Sequence, residues 1–134
     1  MKKKKIKIFN KKPRAKELLK LWGKVILKRD NYMCQQCGNT IGFLDPHHII
    51  RKSKGNLPKY DIQNGVCLCR SCHSKFHKFG YEVEYVRWLD SWLNKQDMTF
   101  EQLRETYLGA DRVVFNKDYY ELKKKVLEEI LNAL

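Results

Sequence analysis

Apolar residues recur at spacings of three and four between Arg14 and about Lys28, and the positions between them are rich in lysine. This repeat predicts an amphipathic helix, and Pro13 suits its first turn because an N–H at that position would have no partner. The apolar face consists of Leu18, Leu19, Trp22, Val25 and Ile26. Residues 1–12 are lysine-rich and predict a basic arm.

The centre of the chain predicts short elements. Residues 41–50 indicate a β-segment broken at Pro46, and residues 51–61 indicate a basic loop. Asn64-Gly65 is typical of a type I′ hairpin turn. A short strand and then a helix are predicted after the turn, at residues 66–69 and 71–79.

Residues 81–134 predict helices only. The first helix spans residues 82–94. Thr99 followed by Gln102 resembles a capping box, which would open a second helix that ends at about Leu108. The apolar face of the first helix is predicted to contain Val83, Val86 and Leu89.

A last helix is predicted to end at about Ala133, with Asn116 or Asp118 as its cap. Its inner face is predicted to contain Leu122, Val126, Leu127, Ile130 and Leu131. Aromatic residues of this part of the chain are interpreted as packing residues, namely Trp88, Trp92, Phe100 and Tyr107.

The net charge of +13 is unevenly distributed. Residues 1–80 have 20 basic and 4 acidic side chains, a net of +16, whereas residues 81–134 have 8 and 11, a net of −3. A basic block of this size favours a protein that binds a polyphosphate chain such as nucleic acid. The alternative is a soluble basic protein without a polymer ligand. With neither a secretory signal nor a membrane-length apolar run visible, we expect a cytoplasmic protein, in a compartment that keeps thiols reduced.

Four of the five cysteines form two Cys-x2-Cys pairs, which are Cys34 with Cys37 and Cys69 with Cys72. Two such pairs predict tetrahedral zinc, here closing a long insertion of 31 residues. A redox Cys-x2-Cys and cysteines buried as small hydrophobic residues are the alternatives. Cys67 is interpreted as a buried structural thiol, although it could displace Cys69 as a ligand.

All four histidines lie between the cysteine pairs or just after the second pair. His73 and His77 are four residues apart and would share one face of a helix. His47 and His48 are adjacent, so in an extended segment they would point to opposite sides and have different tasks, one toward a metal and one toward substrate.

This set of residues resembles the HNH endonucleases, also called ββα-metal nucleases. Within that family it is most similar to bacteriophage members in which cysteines bind a structural zinc. The residues that match are DPHHII at 45–50, Asn64 and CRSCHSKFH at 69–77, within a resemblance that covers roughly residues 14–80. The resemblance implies an α+β fold with a small ββα-metal core, a structural zinc, an N-terminal helix and a C-terminal helical extension. The implied organisation is a basic arm (1–12), a nuclease domain (13–80) and the extension (81–134), packed on or beside the core.

The resemblance also implies a role for each matching residue. His48 matches the general base. Asn64 matches the residue that fixes the conformation of the loop and orients that base through a hydrogen bond. His47, His73 and, with the weakest match, His77 match ligands of one catalytic divalent cation, which could be Mg²⁺, Mn²⁺, Ni²⁺ or Zn²⁺. Asp45 is interpreted as a turn residue before Pro46 rather than as a partner of a histidine. The structural zinc would be held by Cys34, Cys37, Cys69 and Cys72.

The implied function is a metal-dependent DNA endonuclease that hydrolyses phosphodiester bonds, nicks one strand and has weak sequence preference. Phosphate contacts are assigned to Arg51, Lys52, Lys54 and Lys59, and double-stranded DNA is the expected partner. We expect a monomer or weak dimer in a bacterial or phage-infected cell, with no membrane partner and with phage packaging proteins as candidate partners. A non-catalytic zinc module that binds nucleic acid and a thiol redox protein are the alternatives.

Overall fold

The computed structural model describes residues 8–79, 82–108 and 113–134. Six helices and two strands follow one another in these ranges and are numbered in chain order. They are α1 (Lys11–Arg29), β1 (Leu44–His48), α2 (Asn56–Tyr60), β2 (Gly65–Cys69), α3 (Arg70–Phe79), α4 (Val83–Asn94), α5 (Phe100–Thr106) and α6 (Lys117–Ala133). Two 3-10 turns flank α2, at Lys52–Lys54 and Ile62–Asn64.

Strands β1 and β2 form an antiparallel pair, with Leu44 opposite Cys69 and His48 opposite Gly65. Helix α3 follows β2 directly, so the core has the predicted ββα order. The predicted break at Pro46 is wrong, because Pro46 lies inside β1 opposite Cys67. A two-stranded sheet has only edge strands, and proline is tolerated in those.

The prediction of a type I′ hairpin at Asn64-Gly65 is also wrong. Residues 49–64 connect the strands through both 3-10 turns and α2, which replace the predicted basic loop at 51–61. Gly65 has an extended backbone, with φ at −130°, and begins β2. A Cβ at Gly65 would clash with the side chain of Ile26 and lie 2.8 Å from Cζ2 of Trp22, so this position requires glycine because α1 packs so closely.

Two apolar clusters stabilise the fold. One joins the sheet to α3, α4 and α5 and contains Val66, Leu68, Leu89, Leu93 and Leu103 among its buried residues. The other joins α1, α2 and α6 and contains Leu18, Trp22, Ile26, Tyr60 and Leu127. Of the helices after residue 81, α4 and α5 therefore pack on the side of the sheet, and α6 packs on α1.

The predicted caps of α5 and α6 are confirmed, but parts of the predicted apolar faces are wrong. Thr99 and Gln102 form the capping box of α5, and the Asn116 side chain caps α6. Val83 and Leu122 are mainly solvent-exposed, at 63% and 66%. The predictions for Leu89, Trp92 and Leu127 are confirmed, because these residues are buried, together with Leu93 in α4 and Tyr120 in α6.

Arg29, the last residue of α1, connects that helix to β2. Its guanidinium donates two hydrogen bonds to the carboxylate of Asp30 and one each to the carbonyls of Ile62 and Gly65. The Asp30 carboxylate also accepts a hydrogen bond from the backbone N–H of Cys67. Within the described ranges, no helix has the length and apolar character that crossing a bilayer requires.

Candidate active site

Two turns and the end of β2 bring four cysteines together. The knuckle after α1 contributes Cys34 and Cys37, β2 ends at Cys69, and Cys72 lies in the first turn of α3. Their four sulfurs all lie within 4.8 Å of one another, and those of Cys37 and Cys69 are 3.7 Å apart. Zinc–sulfur bonds of about 2.3 Å in a tetrahedron set the sulfurs about 3.8 Å apart, so this cluster fits zinc.

The thiols of this cluster are free cysteines, as zinc ligation requires. Burial acts to raise the pKa of Cys34, but backbone N–H donors, led by that of Cys37, lower it to about 7. Cys67 is fully buried, and burial raises its pKa to about 12. A thiol in that state packs as a small apolar group, and Cys69, not Cys67, belongs to the cluster.

Three histidines form a second cluster beside the first. His47 lies near the end of β1, and His73 and His77 lie one turn apart on α3. One nitrogen from each ring falls within 4.8 Å of the others, and the Nε2 atoms of His73 and His77 are 2.9 Å apart. Nitrogen ligands about 2.1 Å from one metal ion would lie about 3.0–3.4 Å apart, so the three rings are close to ligand spacing.

His47 provides the observation that tests whether this second cluster fits a cation. The residue is only 5% exposed, and its buried Nε2 has no hydrogen-bond partner among the described residues. Burial lowers the pKa of His47 to about 3, with the nearby His73 and His77 acting in the same direction, so the ring is neutral. An unpaired buried nitrogen is costly, and a neutral imidazole that faces two others offers its lone pair to a metal ion.

Asp45 orients one of these rings, contrary to its interpretation as a turn residue. It lies on β1 two residues before His47 and therefore on the same face of the strand. Its Oδ2 lies 3.2 Å from Nδ1 of His73, which directs Nε2 of that ring into the cluster. Carboxylates commonly fix metal-binding histidines in this way. The two-residue spacing within a strand is the signal that could have identified Asp45.

His48 points to the other side of β1, toward α1. Its Nε2 lies 2.8 Å from the carbonyl oxygen of Lys59. Because a carbonyl only accepts hydrogen bonds, Nε2 has the proton and Nδ1 has the lone pair. The ring stacks on the indole of Trp22, with centroids 3.9 Å apart and planes at 7°. Burial lowers the pKa of His48 to about 4 despite the Lys59 carbonyl, so the imidazole is neutral near pH 7.

Asn64 is completely buried and holds the backbone around His48. Its side-chain oxygen accepts from the N–H of Ile50, and its amide nitrogen donates to the carbonyls of Ile50 and Pro58. None of these bonds reaches His48. Lys59 directly follows Pro58, however, so Asn64 fixes the segment whose carbonyl binds the His48 ring.

All four histidines line one cleft of about 960 Å³. Its lining includes the basic residues Arg51, Lys52 and Lys78 and the acidic residue Glu82. Lys78 was not among the DNA contacts predicted from the sequence. Of the other predicted DNA contacts, Lys54 is exposed, and Lys59 places its ammonium 5.3 Å from the centre of the Tyr60 ring. Arg51, Lys52 and Lys78 are therefore the basic residues that line the cleft with the histidines.

A two-stranded sheet followed by a helix, with histidines on both and four cysteines able to hold zinc at its base, defines a ββα-metal core. The family described as HNH endonuclease matches this chain at residues 34–79. Anaredoxin from Nostoc sp. (strain PCC 7120 / SAG 25.82 / UTEX 2576) is 34% identical over 64 residues, which cover 48% of this chain and 82% of Anaredoxin. No solved structure matches the chain. The protein belongs to the HNH endonuclease family.

Proposed function

We propose that the protein is a metal-dependent endonuclease that hydrolyses phosphodiester bonds in double-stranded DNA, with His48 as the general base. The single observation that supports this most strongly is the placement of two kinds of imidazole in one cleft. Three rings converge on a common point with an unpartnered buried nitrogen, and the fourth keeps a lone pair because its other nitrogen binds a carbonyl. A module that only bound nucleic acid would need neither arrangement.

In the proposed reaction, Nδ1 of His48 takes a proton from a water molecule as the water oxygen attacks phosphorus. The bond from phosphorus to the 3′ oxygen breaks, and the leaving oxygen takes a proton from solvent water, which gives a 5′-phosphate and a 3′-hydroxyl. A divalent cation held by His47, His73 and His77 would supply positive charge to the leaving oxygen. Asp45 would keep Nε2 of His73 available to such a cation, and Asn64 keeps the Lys59 carbonyl in place for His48.

The basic charge of residues 1–80 and the cleft residues Arg51, Lys52 and Lys78 support a DNA substrate. Each lysine or arginine that contacts a phosphate adds about one unit to the salt dependence of binding. We assign α3 to the minor groove, where the histidines would face one strand. One such site per chain cuts a single strand, so nicking with weak sequence preference is the expected outcome.

Cleavage of supercoiled plasmid tests the proposal, with Mg²⁺, Mn²⁺, Ni²⁺ or Zn²⁺ added in turn. We expect nicked circles with the wild type in at least one of these cations, and no nicking after addition of a chelator. His73→Ala removes one cation ligand and should abolish nicking while the protein retains one zinc per chain at the cysteines. Plasmid that stays intact with every cation, or equal nicking by His73→Ala, would overturn the proposal. Binding without cutting would instead support the non-catalytic zinc module.

A further inference from the structure

Helix α1 lies outside residues 34–79, which match the family, yet it reaches the proposed general base. The indole of Trp22 covers one face of the His48 ring, 3.9 Å away and nearly parallel to it. Trp22 and His48 both line the cleft. The imidazole is therefore held by two contacts of different kinds, which are the stacked indole and the Lys59 carbonyl.

Trp22 is itself firmly placed. It is 1% exposed, and its Nε1 donates a hydrogen bond of 2.8 Å to the backbone carbonyl of Asp61. Asp61 is fixed in turn, because its carboxylate accepts hydrogen bonds from the hydroxyl of Tyr107 and the N–H of Gln63. The missing Cβ of Gly65 leaves the space that the edge of the indole occupies. The indole is thus held by the Asp61 carbonyl, and Asp61 is in turn held by Tyr107, which directly follows α5.

We propose that Trp22 is a positioning residue for His48, which sets the plane of the imidazole so that Nδ1 faces the cleft. The inference rests on the proposed function. A hydrogen bond at Nε2 fixes one end of the ring but leaves rotation about that bond open, and a parallel indole at 3.9 Å removes this freedom. Placement matters because an error of about 1 Å in a reacting group can cost about 100-fold in rate.

The kinetic test compares Trp22→Leu and Trp22→Phe, each alone and combined with His48→Ala. The rate constant for strand scission is measured at saturating DNA in a single turnover. We expect Trp22→Leu to lower it about 10- to 100-fold, with DNA affinity within about twofold of wild type, and Trp22→Phe to restore most of the rate. In the His48→Ala background, Trp22→Leu should have no further effect, because the ring that it positions is absent.

Trp92→Leu is the matched control. Trp92 is also buried and also donates its Nε1 hydrogen bond, to the side chain of Gln35, but it packs in the cluster around α4 and α5. We expect this variant to lose stability and to keep the rate constant. Trp22 is only a core residue if Trp22→Leu lowers the rate constant for scission by the same factor with and without His48. The same conclusion follows if it slows scission no more than Trp92→Leu does.

Nuclear magnetic resonance of the His48 ring tests the contact without any cleavage. In the wild type, ring protons over an indole face shift upfield, and the ring nitrogens should report a single tautomer with the proton on Nε2. Trp22→Leu should remove the upfield shift and mix the tautomers, whereas Trp22→Phe should retain both features in part. Unchanged signals in Trp22→Leu would overturn the inference. A wild type that shows these signals but cuts no DNA would overturn the proposed function alone.

Discussion

The guanidinium of Arg29 joins α1 to the segment that contains Asn64, and its replacement by methionine tests how the site is held together. The change removes four hydrogen bonds, two to Asp30 and one each to the carbonyls of Ile62 and Gly65. Asp30 is 7% exposed, so its carboxylate would remain buried without its cation.

The expected loss of stability follows from the carboxylate and the carbonyl groups that Arg29→Met leaves unpaired. Removing one member of a buried ion pair costs about 3–5 kcal/mol, and each carbonyl left without its donor costs about 1–3 kcal/mol. These costs overlap, and methionine retains part of the packing of Arg29 against the Trp92 ring, whose centre is 5.5 Å from the guanidinium. We expect Arg29→Met to lower the free energy of unfolding by about 4 kcal/mol, a large part of the roughly 5–15 kcal/mol typical of a domain.

Urea unfolding of the zinc-loaded protein, followed by circular dichroism, measures this loss. Arg14→Met is the matched control on the same helix, because Arg14 pairs with Glu17 at the surface, where the two side chains are 51% and 39% exposed. That pair should contribute no more than about 0.5 kcal/mol. A loss below about 1 kcal/mol for Arg29→Met, or equal losses for the two variants, would refute the reasoning.

Three further predictions concern the cleft and its supports. Asp45→Asn should weaken Mn²⁺ binding about 10- to 100-fold in calorimetric titration of zinc-loaded protein, because His73 loses its charged partner; unchanged affinity would contradict this. Gly65→Ala should lower the urea midpoint by the equivalent of about 1–3 kcal/mol, since its methyl group meets Ile26. Burial lowers the pKa of His48 from 6.5 to about 4, so the unfolded chain binds more protons between these values. Stability present above pH 6.5 should therefore decrease as the pH falls to about 4, and the decrease should be smaller in His48→Asn when urea midpoints are compared.

Elements whose signals are local could be predicted from the sequence. The spacing of three and four identified α1, and the capping box identified the start of α5. The adjacent pair His47 and His48 was expected to face opposite sides of an extended segment, and the rings do contact α3 and α1, respectively. A four-residue spacing on one helix likewise brought His73 and His77 together.

Features that depend on contacts across the fold could not be predicted in this way. The Asn64-Gly65 pair has a strong local preference for a turn, but the close approach of α1 makes Gly65 the extended start of β2. The Lys59 carbonyl that binds His48 is backbone, so no side-chain pattern indicates it. Trp22 has the spacing of an ordinary core residue, and only its position in space shows that it also covers an imidazole.

The most direct measurement is the rate constant for scission of one strand of a DNA duplex, at saturating protein and Mn²⁺, for wild type and His48→Ala. Metal content and DNA affinity are measured on the same samples. Because general-base catalysis contributes about 10²- to 10⁴-fold, we expect His48→Ala to lose that factor while binding metal and DNA as the wild type does. Equal rate constants for the two proteins, or no scission by the wild type, would contradict the account.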